Sequence, residues 1–143
     1  MFKKITLLCA AAIICLTISF MQLIPATNQK SKIIYLYEKK ARSLEQSSLN
    51  KFIHANDNVV LIFYEDWCGP CKRMKPIVED IANGTDNILF IKIKRSLYKE
   101  IFIKLGFTTI PAMVFFKKGK IVHRRPQSAT KEEMMALINT YFI

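Results

Sequence analysis

Apolar residues occur along the chain in strand-like runs separated by stretches with helical spacing. NVVLIFY (58–64) is a continuous run of β-branched and aromatic residues, which predicts a strand covered on both faces. KIIYLY (32–37) predicts an earlier strand, and NILFIKIK (87–94) predicts a third strand whose far end alternates between apolar and polar residues. PAMVFFKKGKIVHRR (111–125) predicts two short strands joined at a Lys-Gly turn, as in a β-hairpin.

Helical spacing fills the intervals between the first three strands. SLEQSSLNKFIHAND (43–57) predicts a short amphipathic helix closed by Asn56 and Asp57. A second helix opens at a cysteine motif and ends at Gly84, and Pro76 inside it is expected to kink it. The residues predicted to face the core are Leu49, Phe52 and Ile53 in the first helix and Met74, Ile77, Val78 and Ile81 in the second.

Two more helices complete the pattern. SLYKEIFIKLG (96–106) predicts a third helix stopped by Gly106. Thr130 with Glu133 three residues later is a capping box for a last helix that runs to about Phe142, with Met134, Leu137 and Ile138 facing inward. Strand, helix, strand, helix, strand, helix, hairpin and helix is the order of an α/β domain, a mixed sheet with helices on both faces.

The N-terminal segment, residues 1–26, has a different character. Lys3 and Lys4 precede an uncharged stretch from Ile5 to Ile24, whose 20 residues at about 1.5 Å each give about 30 Å, the thickness of a bilayer core. The segment therefore predicts a signal peptide or an N-terminal membrane anchor, in the form of a hydrophobic helix. We favour the uncleaved anchor, because the small-x-small cleavage site is imperfect at Ile24. A buried helix of a cytoplasmic protein is the alternative.

The division of the chain follows from this segment. Residues 27–31 read as a short polar tether and residues 32–143 as one globular domain of ordinary size. Lysines at the extreme N-terminus favour an inside terminus, so we expect the domain to face the periplasm or the cell exterior, membrane-anchored or secreted.

The formal net charge of +11 bears on partners. Without the two N-terminal lysines, 20 basic residues against 11 acidic ones still leave +9, which favours acidic partners or an anionic membrane surface. The lysines are scattered through every element and form no stripe interleaved with aromatic residues. A solvated basic surface explains this pattern, and no nucleic-acid partner is predicted.

The chemistry centres on EDWCGPCKRMKP (65–76). Beyond residue 26, Cys68 and Cys71 are the only thiols, and one close pair indicates chemistry rather than a disulfide framework. If Cys68 begins a helix, unpaired N–H groups and the helix dipole stabilise its thiolate. Cys68 is then the attacking thiol, and Cys71, almost one turn in and expected to be less exposed, is the resolving thiol.

Other uses of the cysteine pair remain as alternatives to exchange chemistry. Zinc needs four ligands, and His54 and His123 have no ligand-like spacing, so neither a metal nor another cofactor is predicted. Two thiolates suffice for copper(I), which keeps a binding module or metal chaperone as an alternative. A disulfide staple closing so small a ring would add little stability. A holdase-like protein with an idle motif is a further alternative.

WCGPCK, with Pro76 five residues beyond the second cysteine, resembles the active site of the thioredoxin family. TTIPAMVFFKKGK (108–120) resembles that family's proline loop, strand and turn, and the resemblance extends over about residues 32–142. It implies the thioredoxin fold, a central mixed sheet flanked by helices. The hydrophobic N-terminal segment would precede this fold.

The resemblance also implies roles around the cysteines. Trp67, Gly69 and Pro70 would form the motif and the substrate-docking surface, and Trp67 is expected there rather than in the core. Pro111 would be cis and lie beside the disulfide, and Ile110 would offer backbone hydrogen bonds to a bound chain. Lys72, next to the resolving cysteine, is a candidate modulator through its charge, with a solvated lysine as the alternative.

Two departures from the family pattern affect the site. Ile62 stands where many thioredoxins keep a buried aspartate that helps move the resolving thiol's proton, and Lys92 matches that aspartate's usual partner. We expect Lys92 to turn to water or to another carboxylate, and Cys71 to lose its proton to solvent or to Glu65 and Asp66. The glycine expected after the hairpin is replaced by the basic stretch Arg-Pro-Gln at 125–127.

The sequence thus predicts an extracytoplasmic, membrane-tethered thiol–disulfide oxidoreductase. Gly-Pro between the cysteines resembles the reducing members of the family, so reduction of protein disulfides is favoured over oxidation or isomerisation. Its partners would be protein disulfide substrates and an upstream thiol electron donor such as a membrane reductase, because the periplasm is kept oxidising.

Overall fold

The structure is a computed structural model that describes residues 31–36 and 45–143. The predicted N-terminal anchor and most of the tether lie outside these residues, so the proposed division of the chain stays a prediction. No helix within the described part of the chain is long and apolar enough to cross a membrane. The strands are β1 Lys32–Leu36, β2 Asn58–Tyr64, β3 Leu89–Lys94, β4 Ala112–Lys117 and β5 Lys120–Arg125, and the helices are α1 Glu45–Ala55, α2 Gly69–Gly84, α3 Lys99–Lys104 and α4 Lys131–Phe142.

The five strands form one mixed sheet in the order β1-β3-β2-β4-β5. β1, β3 and β2 run parallel, whereas β4 and β5 pair antiparallel. Since the carboxyl ends of parallel strands lie at one edge, the segments that follow β2 and β3 meet there. The predicted mixed sheet and its hairpin are confirmed.

β2 is the centre of the domain and is covered on both faces, as its unbroken apolar run predicts. Every β2 residue from Val59 to Tyr64 is buried. On one face α1 and α3 pack against the sheet, and on the other face α2 and α4 do so. The first core cluster includes Leu49, Ile53, Val59, Leu61, Phe63 and Phe102, and the second includes Val60, Ile62, Met74, Val78, Ile81, Met134 and Ile138.

α3 is shorter than the sequence predicts. Residues 95–98 form a turn before it, in which the N–H groups of Leu97 and Tyr98 donate to the Lys94 carbonyl at 3.1 and 3.2 Å. The N–H of Ser96 is directed elsewhere, to the Glu65 carboxylate. Through this bond the turn supports the loop that follows β2. The helix therefore begins only at Lys99. Gly106, with φ 82°, ends it as predicted.

The β4–β5 hairpin closes with Lys118 and Gly119, whose φ angles of 51° and 76° are both positive. Two such residues in a two-residue loop match the twist of the flanking strands. A Cβ on Gly119 would lie 2.5 Å from Nδ1 of His54. Glycine is therefore favoured there by the backbone conformation, and any larger residue would also have to displace the exposed His54 side chain.

The capping box of α4 gives a direct test of this packing. The Thr130 hydroxyl accepts from the Glu133 N–H at 3.2 Å, and Oε2 of Glu133 accepts from the Thr130 N–H at 2.9 Å. We expect Thr130→Ala to lower the free energy of unfolding by about 1 kcal/mol. Thr140→Ala, at an exposed position in the same helix, is the matched control and should change it by less than about 0.5 kcal/mol. If denaturant titrations gave the same change in the free energy of unfolding for Thr130→Ala and Thr140→Ala, the capping role of Thr130 would be contradicted.

Candidate active site

The two cysteines lie at the start of α2, immediately beyond the carboxyl end of β2. Cys68 is the N-cap residue with extended backbone, and its Sγ accepts a hydrogen bond from the N–H of Cys71 at 3.2 Å. The two sulfur atoms are joined in a disulfide, with the Cα atoms 5.3 Å apart. Gly69 and Pro70 form the exposed turn between them, and proline fits there because a first-turn N–H would lack a helical partner.

The first turn of α2 favours negative charge on Cys68. It contains no acidic residue, and Lys72 and Arg73 are exposed beside it. The helix dipole and the Cys71 N–H both act on the Cys68 sulfur. When the disulfide is reduced, Cys68 is therefore the better placed of the two to be a thiolate.

The two cysteines are about equally buried, so their exposure does not show which of them attacks first. Cys68 is 4% exposed and Cys71 is 7% exposed, so the expectation that Cys71 would be the less exposed is wrong. Both pack in a small cluster with Tyr64, against which Ile110 also packs. The order of attack thus depends on helix position, because Cys68 caps the helix end while Cys71 lies inside its first turn.

The residues implied to dock substrates are an exposed tryptophan next to Cys68 and the Ile110–Pro111 loop. Trp67 is 72% exposed, so it is no core aromatic. The Ile110–Pro111 peptide bond is cis, Pro111 is buried, and Ile110 packs against the cysteine cluster. The Thr109 hydroxyl donates to the Pro126 carbonyl at 2.9 Å, which ties this loop to the basic segment after β5. Substrate docking by these residues stays a prediction.

Glu65 and Asp66 hold the loop that carries the cysteines. Glu65 is 8% exposed, and its Oε1 accepts from the Ser96 N–H at 2.6 Å. Asp66 forms an ion pair with Lys94. These contacts join the segment after β2 to the turn after β3, so both carboxylates already have partners that position the site.

Lys92 departs most from expectation. It lies opposite Ile62 in the β2–β3 pairing and is 6% exposed, so it does not turn to water. Its Nζ is 5.3 Å from the centre of the Tyr64 ring. Burial lowers the pKa of Lys92 below its usual value, the negative charge of Glu79 opposes this shift, and the positive charge of Lys75 adds to it. Glu79 is thus the other carboxylate that the sequence left open.

One pocket of about 290 Å³ brings the candidate modulators together with the second cysteine. Cys68, Trp67 and the Ile110–Pro111 loop do not line it. The site therefore has two parts, the residues around Cys68 and a pocket on the Cys71 side, which we call the inner pocket. The inner pocket is lined by Tyr64, Glu65, Asp66, Cys71, Lys72, Lys75 and Lys92.

Sequence reasoning did not assign Tyr64, Glu79 or Ser96 to the site. Tyr64 looked like the last apolar residue of a strand, and only its place at the carboxyl edge of β2 indicates a role. Ser96 acts through its backbone N–H, which no side-chain pattern reveals. Within the described ranges 31–36 and 45–143, no three His, Cys, Asp or Glu side chains gather as a metal site.

Known protein sequences match most of the chain beyond the N-terminal segment. The sequence profile of the family described as Thioredoxin matches residues 40–140. The chain is 32% identical to the thioredoxin of Mycoplasmoides gallisepticum over 93 residues, which are 65% of this chain and 93% of that protein. It is 31% identical to the thioredoxin of Chlamydia caviae over 94 residues, which are 66% of this chain and 91% of that protein.

Solved structures give the same result for the fold. A thioredoxin variant from Halobacterium salinarum superimposes with a TM-score of 0.70 at 26% identity, covering 82% of this chain and 96% of that one. The oxidised thioredoxin of Plasmodium falciparum superimposes with a TM-score of 0.60 at 28% identity, covering 79% of this chain and 99% of that one. The predicted thioredoxin fold is thereby confirmed.

The positions of the cysteines predict different defects for their two serine variants. Cys68→Ser removes the sulfur at the helix N-terminus, so we expect loss of attack on a disulfide. Cys71→Ser keeps that sulfur, so the attack proceeds and a mixed disulfide on Cys68 accumulates, visible by mass spectrometry under non-reducing conditions. The reverse assignment, with the adduct trapped in Cys68→Ser, would contradict the proposed order.

The burial of Lys92 predicts a stability gain when its charge is removed. We expect Lys92→Met to raise the free energy of unfolding at pH 7 by about 1 kcal/mol, because an apolar side chain avoids the desolvation cost. The pKa of Lys92 in the folded protein lies below its usual value of 10.5. Between these two pKa values, Lys92 keeps its proton in the unfolded chain but has lost it in the folded protein. The free energy of unfolding of the wild type therefore rises with pH up to about 10.5. Over the same pH range, the difference in stability between Lys92→Met and the wild type becomes smaller.

Denaturant titrations across this pH range check the prediction. Lys104→Met, at an exposed lysine of α3, is the matched control and should shift the free energy of unfolding by less than about 0.5 kcal/mol at every pH. A Lys92→Met variant that is less stable than wild type at pH 7 would show instead that the ammonium contributes net stability.

Proposed function

The chain belongs to the thioredoxin family, and we propose that it is an exported, membrane-tethered reductase of protein disulfides. The oxidoreductase activity is that of the family. Its Cys68–Cys71 pair exchanges with disulfides of protein substrates and takes electrons from a reductase. The direction, the tether and the location outside the cytoplasm are the parts that we propose.

Cys68 and Cys71, at the start of α2, carry out the exchange in two steps. The Cys68 thiolate attacks one sulfur of a substrate disulfide, which forms a mixed disulfide and releases the other substrate sulfur as a thiolate. Cys71 then loses its proton and attacks the Cys68 sulfur, which restores the Cys68–Cys71 bond and releases the second substrate sulfur. The substrate gains two electrons, and the protein is oxidised by the same two.

The burial of both cysteines is the observation that supports a reducing rather than an oxidising function. Reduction of the disulfide places a thiolate and a thiol in residues that are only 4% and 7% exposed, where limited access to water disfavours charge. Burial therefore favours the oxidised pair and makes the dithiol a good electron donor. The helix N-terminus acts in the opposite sense by stabilising the thiolate, but it acts on Cys68 alone.

The uncharged N-terminal stretch supports the tether and the location. Ile5 to Ile24 contains no charged residue, and the only charges before it are two lysines. A reductase outside the cytoplasm cannot draw directly on cytoplasmic thiols, so its donor is proposed to be a membrane protein that carries thiol electrons across the bilayer. The net positive charge of the domain suits an anionic membrane surface.

Thiol labelling of intact bacterial cells tests the tether and the location. The full chain carries Cys9→Ser and Cys15→Ser, so that only Cys68 and Cys71 can react after mild reduction. We expect a charged, membrane-impermeant maleimide to label it in intact cells and the protein to sediment with membranes. The matched control lacks residues 2–26 and should stay soluble and unlabelled until the cells are opened. Labelling of the full chain only in opened cells would contradict the export.

A further inference from the structure

Two cations lie close to the disulfide at the start of α2. Lys72 and Arg73 follow Cys71 directly, and both side chains are exposed. Side chains of a helix point back toward its N-terminus. In agreement with this, Nη1 of Arg73 lies 3.8 Å from the position that a Cβ on Gly69 would occupy. The guanidinium therefore lies beside the residue that follows the attacking Cys68.

The carboxylates near the disulfide do not neutralise these two cations. Asp66, the exposed carboxylate of the loop before the disulfide, forms an ion pair with Lys94 instead. The first turn of α2 contains no acidic residue. Among the residues that the structure describes, no ion pair joins Lys72 or Arg73 to a carboxylate. An anionic partner would therefore not have to displace an internal one.

Arg73 also lines a groove of about 450 Å³ between α2 and α4. The groove includes Pro70, which lies between the two cysteines, and its apolar lining is Met74, Ile77 and Ala129. Ligand pockets in proteins have volumes of about 300–1,000 Å³. The groove is therefore large enough to accept side chains that flank a substrate disulfide.

The wall that α4 contributes to the groove contains charges of both signs. Lys131 forms an ion pair with Asp80, and the carboxylate of Glu133 is held in the capping box. Glu132, the other acidic residue of this wall, is exposed. A carboxylate of a bound peptide would therefore be attracted to Arg73 on the α2 wall and repelled by Glu132 on the α4 wall.

We propose that Arg73, with Lys72 beside it, selects substrates in which an acidic residue flanks the disulfide. The planar guanidinium can bind the carboxylate of an aspartate or glutamate through two parallel N–H···O bonds. The flanking residue then lies at the groove while Cys68 attacks the substrate sulfur. This preference rests on the disulfide exchange of the proposed function, but neither on its direction nor on its location.

Three short peptides with blocked termini test the preference. Each has one cysteine in a mixed disulfide with a chromogenic aromatic thiol, flanked on both sides by glutamate, glutamine or lysine. The Cys68 thiolate attacks the peptide sulfur and releases the coloured thiolate, and Cys71 then attacks the Cys68 sulfur and releases the peptide thiolate. The parent protein is the reduced full chain with Cys9→Ser and Cys15→Ser in an uncharged detergent. Each rate is divided by the rate of dithiothreitol with the same peptide, which corrects for the peptide's own reactivity.

We expect the parent protein to release the coloured thiol about fivefold faster from the glutamate peptide than from the glutamine peptide, as an exposed ion pair allows. This ratio should fall toward one at about 1 M salt, which screens exposed charges. Arg73→Gln should bring the ratio to about one. Arg73→Glu should make the lysine peptide react faster than the glutamate peptide. Lys104→Gln removes the same charge from the exposed surface of α3 and, as the matched control, should keep the ratio.

The ratio of the two rates separates substrate selection from a general effect on the cysteine. Arg73 also favours the thiolate of Cys68, so the loss of its charge lowers the rates with both peptides alike. Only an interaction with the flanking carboxylate changes the ratio between them.

Three results would overturn the proposal. A ratio near one in the parent protein would mean that no acidic preference exists. A ratio that Arg73→Gln leaves intact, while both rates fall, would limit Arg73 to stabilising the thiolate. Equal loss of the ratio in Lys104→Gln would make the preference a property of the net charge of the domain. Reaction with none of the peptides is a different failure, because it would contradict the exchange activity itself and the proposal with it.

Discussion

The redox site depends on the hydrogen bond from the Cys71 N–H to the Cys68 sulfur, at 3.2 Å, which fixes Cys68 at the start of α2. This bond exists because the chain leaves the buried strand β2, turns once and enters α2 with Cys68 as its N-cap. The same geometry places one sulfur at the positive end of the helix and the other within its first turn. A shift of β2 or α2 would change the reactivity of both cysteines together.

The site is held by contacts that cross from β2 to β3. The Arg95 N–H donates to the Tyr64 carbonyl at 3.0 Å, and the Glu65 carboxylate accepts from Ser96 beside it. These bonds lie at the carboxyl edge of the parallel strands, where open α/β sheets bind their ligands. At this edge the core also contains a buried charge, because Lys92 is 6% exposed and its burial lowers its pKa. A buried residue with a shifted pKa is a candidate for function.

Much of the fold and the redox pair could be predicted from the sequence, because each rests on a local pattern. The unbroken run in β2, the turn at Lys118 and Gly119, and the Thr130 capping box each specify their own geometry. The inner pocket could not be predicted in this way. A lysine in an alternating strand reads as solvent-facing, and only the pairing of Lys92 with Ile62 across two strands shows that it is buried. The start of α3 was likewise set by a long-range bond, from Ser96 to Glu65.

The reduction potential of the Cys68–Cys71 pair tests whether this buried disulfide is the reversible couple of a reductase. The full chain with Cys9→Ser and Cys15→Ser, in detergent, would be equilibrated against glutathione and dithiothreitol buffers, where about 30 mV corresponds to about 1.4 kcal/mol. We expect a potential well below that of the glutathione pool. A potential above the pool would make the protein an oxidant or isomerase, and the absence of any reversible couple would contradict a redox role altogether.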